Sequence, residues 1–144
     1  MTANNFYRSD FIYMAPPFLA YYAISTQNDT LLDVAVQQVQ DYRAVLKSSS
    51  GAWSHISASS HPDTSFWSTG NGWAAMGITR VLAAILAAPS RTTNQQTQTV
   101  TLRGWIKEII DAAMKTPVRT DRNVFFERSL TTNSAILRVF SITI

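Results

Sequence analysis

The run from Trp73 to Ala88 restricts what this chain can fold into more than any other stretch. Its residues are apolar on nearly every side of a helix, and Arg80 is its one charge. A helix of that kind has to be enclosed by other elements. It is too short to span a bilayer comfortably, and an arginine at its centre would be costly there. It therefore reads as a buried core helix over about 72–88, and no membrane is expected as a partner. The chain has 144 residues, enough for one domain with its own core.

The remaining composition excludes several function classes. There is no cysteine, so no disulfide framework and no thiolate chemistry is available. Two histidines argue against a zinc site, and neither a metal nor a cofactor is expected. The net charge of +3 comes from scattered residues, with no basic run to follow a phosphate backbone, so no nucleic acid is expected. The opening Met1-Thr2-Ala3-Asn4-Asn5 lacks the regions of a signal peptide. Asn28-Asp29-Thr30 is a glycosylation sequon, meaningful only if the intact product is secreted.

Taken in order, residues 1–9 read as irregular. Pro16 and Pro17 suit the first turn of a helix, and Phe18, Leu19, Tyr22 and Ala23 share one of its faces before Ser25–Asn28 closes it. Thr30-x-x-Asp33 reads as a capping box opening a second helix, with Leu32, Ala35, Val36, Val39, Tyr42 and Leu46 on the core face. A short connection predicts an antiparallel hairpin. Residues 48–65 read as a long Ser-rich loop and 89–100 as a polar linker. A fourth helix is expected from about Thr101 to Lys115, burying Trp105, Ile106, Ile109, Ile110 and Ala113, with Thr116-Pro117 ending it.

Phe66-Trp67-Ser68-Thr69-Gly70-Asn71-Gly72-Trp73 stands directly before the core helix. Glycines permit φ > 0 and close approach of a ligand to the backbone, Asn71 brings an amide, and a helix N-terminus favours an anion. Flat aromatics beside such a turn suit a sugar bearing an acid group. A loop-to-helix turn whose tryptophans simply pack in the core accounts for the same residues. Asp10, among Phe6, Tyr7, Phe11 and Tyr13, is either an acid in an apolar surround, with its pKa raised, or a cap on the first helix. His55 is either a ligand contact or a solvated loop histidine.

The segment 66–73 resembles the W-x-R-G-N-G-W signature of the unsaturated uronyl hydrolases, the rhamnogalacturonyl branch of the six-hairpin glycosidases. Asp10 to Leu19 resembles that family's D-x-x-Y-M-x-x-P-F-L, and Gly51-Ala52-Trp53-Ser54-His55 resembles its G-L-(aromatic)-x-H. The three occur in the family's order, and the likeness runs from about residue 7 to residue 115. The resemblance implies an all-α fold, helical hairpins forming part of an (α/α)6 barrel. It also implies a glycoside hydrolase acting on unsaturated uronate-terminated pectin oligosaccharides. Asp10 would be the general acid/base that protonates the C4=C5 double bond and then activates water. His55, Trp67, Thr69, Asn71 and Trp73 would bind substrate.

Two positions depart from the pattern. Thr69 stands where the family carries an arginine, so the substrate's acid group is either held by the Gly-Asn-Gly backbone or absent. Arg8 stands where the family carries a tryptophan. Six hairpins need roughly 200 to 300 residues, so residues 1–144 are expected to form a partial barrel domain, with 118–144 an atypical, apolar tail. Such a piece would leave the 72–88 helix incompletely covered. The alternatives are a non-catalytic fragment or pseudoenzyme of the same fold, and a helical scaffold that binds partners, although no fixed-period repeat supports the latter.

Overall fold

The computed structural model describes residues 6–88 and 92–115. A short strand β1 (Phe6–Arg8) leads into a 3-10 helix (Ser9–Tyr13), followed by α1 (Ala15–Ser25) and α2 (Asp29–Leu46). Strand β2 (Ile56–Ala58), α3 (Ser68–Ala87) and α4 (Thr93–Lys115) complete the order. The described residues are predominantly helical, in agreement with an all-α fold made of helical hairpins. The tail over 118–144, the start over 1–5 and the Thr116-Pro117 stop lie outside the described residues.

The α1–α2 hairpin is locked by its own backbone. The Asn28 N–H donates to the Ala23 carbonyl at 2.8 Å and the Gln27 N–H to that of Ile24 at 3.2 Å. Gln27 takes the left-handed conformation (φ 52°) that this closure requires. Asn28 then caps the next helix, its side chain accepting from the Leu31 N–H at 3.0 Å. The cap therefore falls at Asn28, and Thr30 and Asp33 lie inside α2. The expected core face of α2 holds, with Leu32, Ala35, Val36, Val39 and Leu46 buried and Tyr42 packed against them. On α1 the face is rotated: Pro16, Pro17, Ala20 and Ala23 are buried, while Phe18 and Tyr22 lie exposed. Small residues there let α1 approach α3, which excludes the large aromatic rings from the contact.

The expected linker over 89–100 is mostly helix, because α4 already begins at Thr93. The capping box that opens it is Thr92-x-x-Gln95. Thr92 Oγ1 accepts from the Gln95 N–H and Gln95 Oε1 from the Thr92 N–H, both at 3.1 Å. Thr97, Thr99 and Thr101 return their hydroxyls to carbonyls one turn back, so the threonines do not break the helix. The buried stripe of α4 is Gln95, Leu102, Ile109 and Ala112, with Trp105 and Ile106 half-buried and Ala113 exposed.

Side chains tie α2 to α4. Asp29 accepts from Gln95 Nε2, and Asp33 accepts from both Asn94 and Gln98. Farther along, Glu108 takes Arg43 at 2.6 Å and Lys47 at 3.0 Å. The order is the same at both ends, so α2 and α4 run parallel. Since α1 turns back on α2 and packs against α3, while α3 packs on α4, two hairpins stand side by side: α1 and α3 form one layer and α2 and α4 the other. The core helix α3 buries Ala74, Ala75, Ile78, Val81, Leu82, Ala84 and Ile85 between these neighbours. One stripe of it, including Trp73 and Leu86, remains exposed.

Residues 6–9 and 48–65 are more ordered than their composition suggests. β1 and β2 pair antiparallel, Phe6 opposite Ala58 and Arg8 opposite Ile56. The chain then turns back, Ile56 bonding Asp63 and His55 bonding the Ser65 carbonyl. Gly51, with φ 93°, makes the tight turn between Lys47 and Trp53.

Candidate active site

Three sequence segments meet at the N-terminal end of α3. The 3-10 helix carries Asp10 and lies across that end so closely that a Cβ on Gly77 would collide with the Ile12 carbonyl. A Cβ on Gly70 would collide with Ser9 Oγ and the Trp67 ring. These two glycines serve close approach inside a helix. Gly70 and Gly72 do not form a left-handed turn before it, because α3 starts at Ser68. The Ser9 N–H also donates to the His55 carbonyl at 3.1 Å, which brings the third segment in.

Asn71 is the clamp. Its Oδ1 accepts from the Trp53 N–H at 2.7 Å, and its Nδ2 donates to the Trp53 and Trp67 carbonyls at 2.9 and 3.1 Å. The residue is buried and its amide is spent on the chain itself. Asn71 holds Trp53, wholly buried, in register with the helix. The expected packing role of tryptophan thus falls to Trp53, while Trp67 is half-buried and Trp73 is partly exposed.

Asp10 is buried and lines a cleft of about 200 Å³ with Phe6, Arg8, Phe11, Met14 and Tyr42. It does not cap α1, whose N-terminus has no side-chain cap. Its surround is not purely apolar either: Arg8 Nε and Nη2 each reach one carboxylate oxygen at 3.1 Å, a two-pronged ion pair. Phe11 stacks on Tyr42 at 4.6 Å and Tyr7 meets Tyr42 edge-on at 5.0 Å. Burial first, then the neighbouring Tyr7 and the Asp10 charge, raise the Tyr42 hydroxyl above its ordinary range. Tyr42 therefore stays protonated and is a standing O–H donor on the wall of this cleft.

His55 is not a solvated loop residue. Its Nδ1 lies 2.8 Å from Asp63 Oδ2, and its ring sits 4.7 Å from that of Trp67, tilted by 54°. Asp63 also accepts from the Ser65 N–H at 2.9 Å. Hydrogen bonds from Ser65, then that from His55, lower its pKa to about 2. An ionised carboxylate at Nδ1 places the ring proton there and leaves Nε2 as the working nitrogen. Nε2 is buried without a hydrogen-bond partner among the described residues. Tyr13 lies 5.5 Å from the Trp73 ring. Thr69 is exposed on the first turn of α3.

The described residues form two helical hairpins, as part of an all-α six-hairpin fold does. The family model described as Glycosyl Hydrolase Family 88 matches residues 8–112, and the chain belongs to that family. Membership makes it a relative of glycoside hydrolases that act on unsaturated uronides, with a carbohydrate as the substrate class. No curated protein and no solved structure matches the chain. Among the described residues, no group of three or more metal-ligating side chains occurs, and no helix is long and apolar enough to cross a membrane.

Sequence reasoning passed over Tyr42 and Asp63 as contributors to the site. Tyr42 has the helical spacing of an ordinary core residue, and Asp63 lies in a Ser-rich stretch with no period. Only the pairing of His55 with Ser65 brings the Asp63 carboxylate to the imidazole.

Proposed function

We propose that this chain forms the acid/base wall of a hydrolase that hydrates the C4=C5 double bond of a terminal unsaturated uronic acid on pectin-derived oligosaccharides. The observation that carries this reading is the meeting of three separate segments, those that bear Asp10, His55 and Trp67 with Trp73, around the N-terminal half of α3. Asp10 gives its proton to C4, and the ring oxygen stabilises the positive charge left at C5. The resulting carboxylate takes a proton from water as that oxygen bonds to C5, and collapse of the hemiketal releases the neighbouring sugar. No second carboxylate is needed at the anomeric carbon, unlike the usual glycosidase scheme. Trp67 and Trp73 offer flat faces to the sugar, the Tyr42 hydroxyl supplies a polar contact, and His55 adds a second once substrate entry uncovers its buried Nε2. In this reading residues 7–115 are two adjacent hairpins of the barrel, and further hairpins complete the cleft.

Arg8 bears on the same step. Its fork occupies both Asp10 oxygens, so substrate entry has to displace it, and its side chain is 44% exposed and able to leave. That ion pair, with the uncharged Thr69, also favours a second reading in which the chain is a non-catalytic member of the family. Ultraviolet absorbance of the conjugated double bond separates the two. With the cleft completed by its further hairpins, the wild type should consume unsaturated digalacturonate, and Asp10→Asn should lower turnover at least ~100-fold while binding persists. No turnover by the wild type establishes the non-catalytic reading, and full activity in Asp10→Asn removes Asp10 from the chemistry.

A further inference from the structure

Arg80 is the only charged residue on α3. Its guanidinium carbon sits 4.8 Å from the centre of the Tyr13 ring and 5.9 Å from that of Tyr21. Arg8, Arg43, Lys47 and Lys107 each have a carboxylate partner. Arg80, half-buried, has no ion pair and no side-chain hydrogen bond among the described residues. An arginine placed over an aromatic ring is held through its face, and its edge keeps its N–H donors for a planar acceptor. Among the described residues these donors belong to a cation that is oriented but has no anion.

The surroundings indicate which anion. Thr69, Trp73, Met76 and Arg80 recur at helical spacing along one stripe of α3. Long side chains on a helix lean towards its N-terminus, so the guanidinium reaches back along the stripe towards Trp73. Tyr13 joins the two, touching Trp73 on one side and Arg80 on the other. Thr69, nearest the site, brings no charge.

We propose that Arg80, with Tyr13, Tyr21 and Trp73, forms a carboxylate-binding subsite for an acidic sugar. Tyr13 and Tyr21 hold the guanidinium through its face, the exposed Trp73 ring receives the sugar face, and the guanidinium edge takes the acid group with two parallel hydrogen bonds. The subsite rests on the carbohydrate reading above and extends it, because it locates the charge recognition that residue 69 does not provide.

The test compares digalacturonate with its uncharged dimethyl ester, binding each to the full chain by calorimetry. The wild type should prefer the acid by at least ~10-fold, a preference that shrinks as salt is added. Arg80→Gln should abolish the preference while leaving ester binding within about 2-fold. Arg80→Lys keeps the charge but loses the fork and the stacking, so it should recover only part of the preference. Arg103→Gln, exposed on α4, is the control and should change neither ligand. The subsite is overturned if the wild type binds acid and ester equally or not at all, or if the preference survives in Arg80→Gln. Should Arg80→Gln fail to fold, the Arg80→Lys and salt arms decide alone, and an unchanged preference in both overturns it. Turnover of unsaturated digalacturonate with KM unaltered in Arg80→Gln would reject the subsite and leave the hydrolase standing. An Arg80-dependent preference without turnover would do the reverse.

Discussion

The two layers of the molecule are joined by opposite chemistry. Between α1, the 3-10 helix and α3, contact is made by alanines, a glycine and prolines at close approach, with Ile12, Ala20, Ala74 and Ile78 fully buried. Between α2 and α4 it is made by long polar side chains: Asp29, Asp33 and Arg43 on one helix, Gln95, Gln98 and Glu108 on the other. The first layer tolerates almost no change in volume, because packed interiors have no spare space. The second can adjust its rotamers and is open to salt and pH. The candidate site sits on the stiff layer, which suits groups that must hold fixed positions.

The largest effect is expected where both demands meet, at the Asn71 clamp. Asn71→Ala strands the buried Trp53 N–H and carbonyl, and should cost roughly 2–5 kcal/mol of stability, read by chemical denaturation. If it instead leaves the melt unchanged and only weakens sugar binding, Asn71 belongs to the substrate and the comparison breaks. Gly77→Ala comes next, at roughly 1–3 kcal/mol, since the new Cβ meets the Ile12 backbone and no rotamer can relieve it. A mild outcome there would mean that the stiff layer is not stiff.

On the polar side the effect is smaller and depends on pH. Burial by itself would raise the Glu108 pKa, but hydrogen bonds from Arg43 and Lys47 outweigh it and leave the carboxyl below its ordinary 4.5. A depressed carboxylate contributes stability that is fully present above its unfolded pKa and is lost as pH falls through the folded one. Wild type should therefore lose this contribution below about pH 4.5, whereas Glu108→Gln, roughly 1 kcal/mol weaker at neutral pH, should show a flatter acid limb. Asp63, at about 2, acts in the same direction, its contribution present above 3.8 and lost towards about 2. An identical acid limb in wild type and Glu108→Gln would mean that Arg43 and Lys47 do not hold this carboxylate in solution.

The smallest change is a gain. Gln27 holds a left-handed conformation better suited to glycine, so Gln27→Gly should stabilise by up to about 1 kcal/mol, visible as a modest rise in Tm. A loss would show that the Gln27 side chain matters more than its backbone.

The legibility of the two layers in the sequence follows the same division. The buried face of α2 and the core character of α3 were readable because apolar residues recur at helical spacing. The start of α4 was not, although Thr92 and Gln95 form a capping box, because Thr- and Gln-rich sequence has no hydrophobic period and its stability comes from partners on α2. In the site, Asp10, His55, Trp67 and Trp73 were legible as residues. Their environments were not: Arg8 on Asp10, Asp63 on His55, and Asn71 turned inwards onto Trp53.

By itself, then, the sequence determined a helical chain with an apolar α3 at its core, the α1–α2 hairpin and the family to which they belong, since periodicity, capping residues and motif order are all local or linear properties. Tertiary structure decided which polar groups face one another. Asp63 reaches His55 only through the turn of the ribbon after β2, and Arg80 reaches Tyr21 only because α1 packs beside α3. A side chain's charge is written in the sequence, but its partner is set by distances across the fold, over which electrostatic and hydrogen-bond energies change steeply.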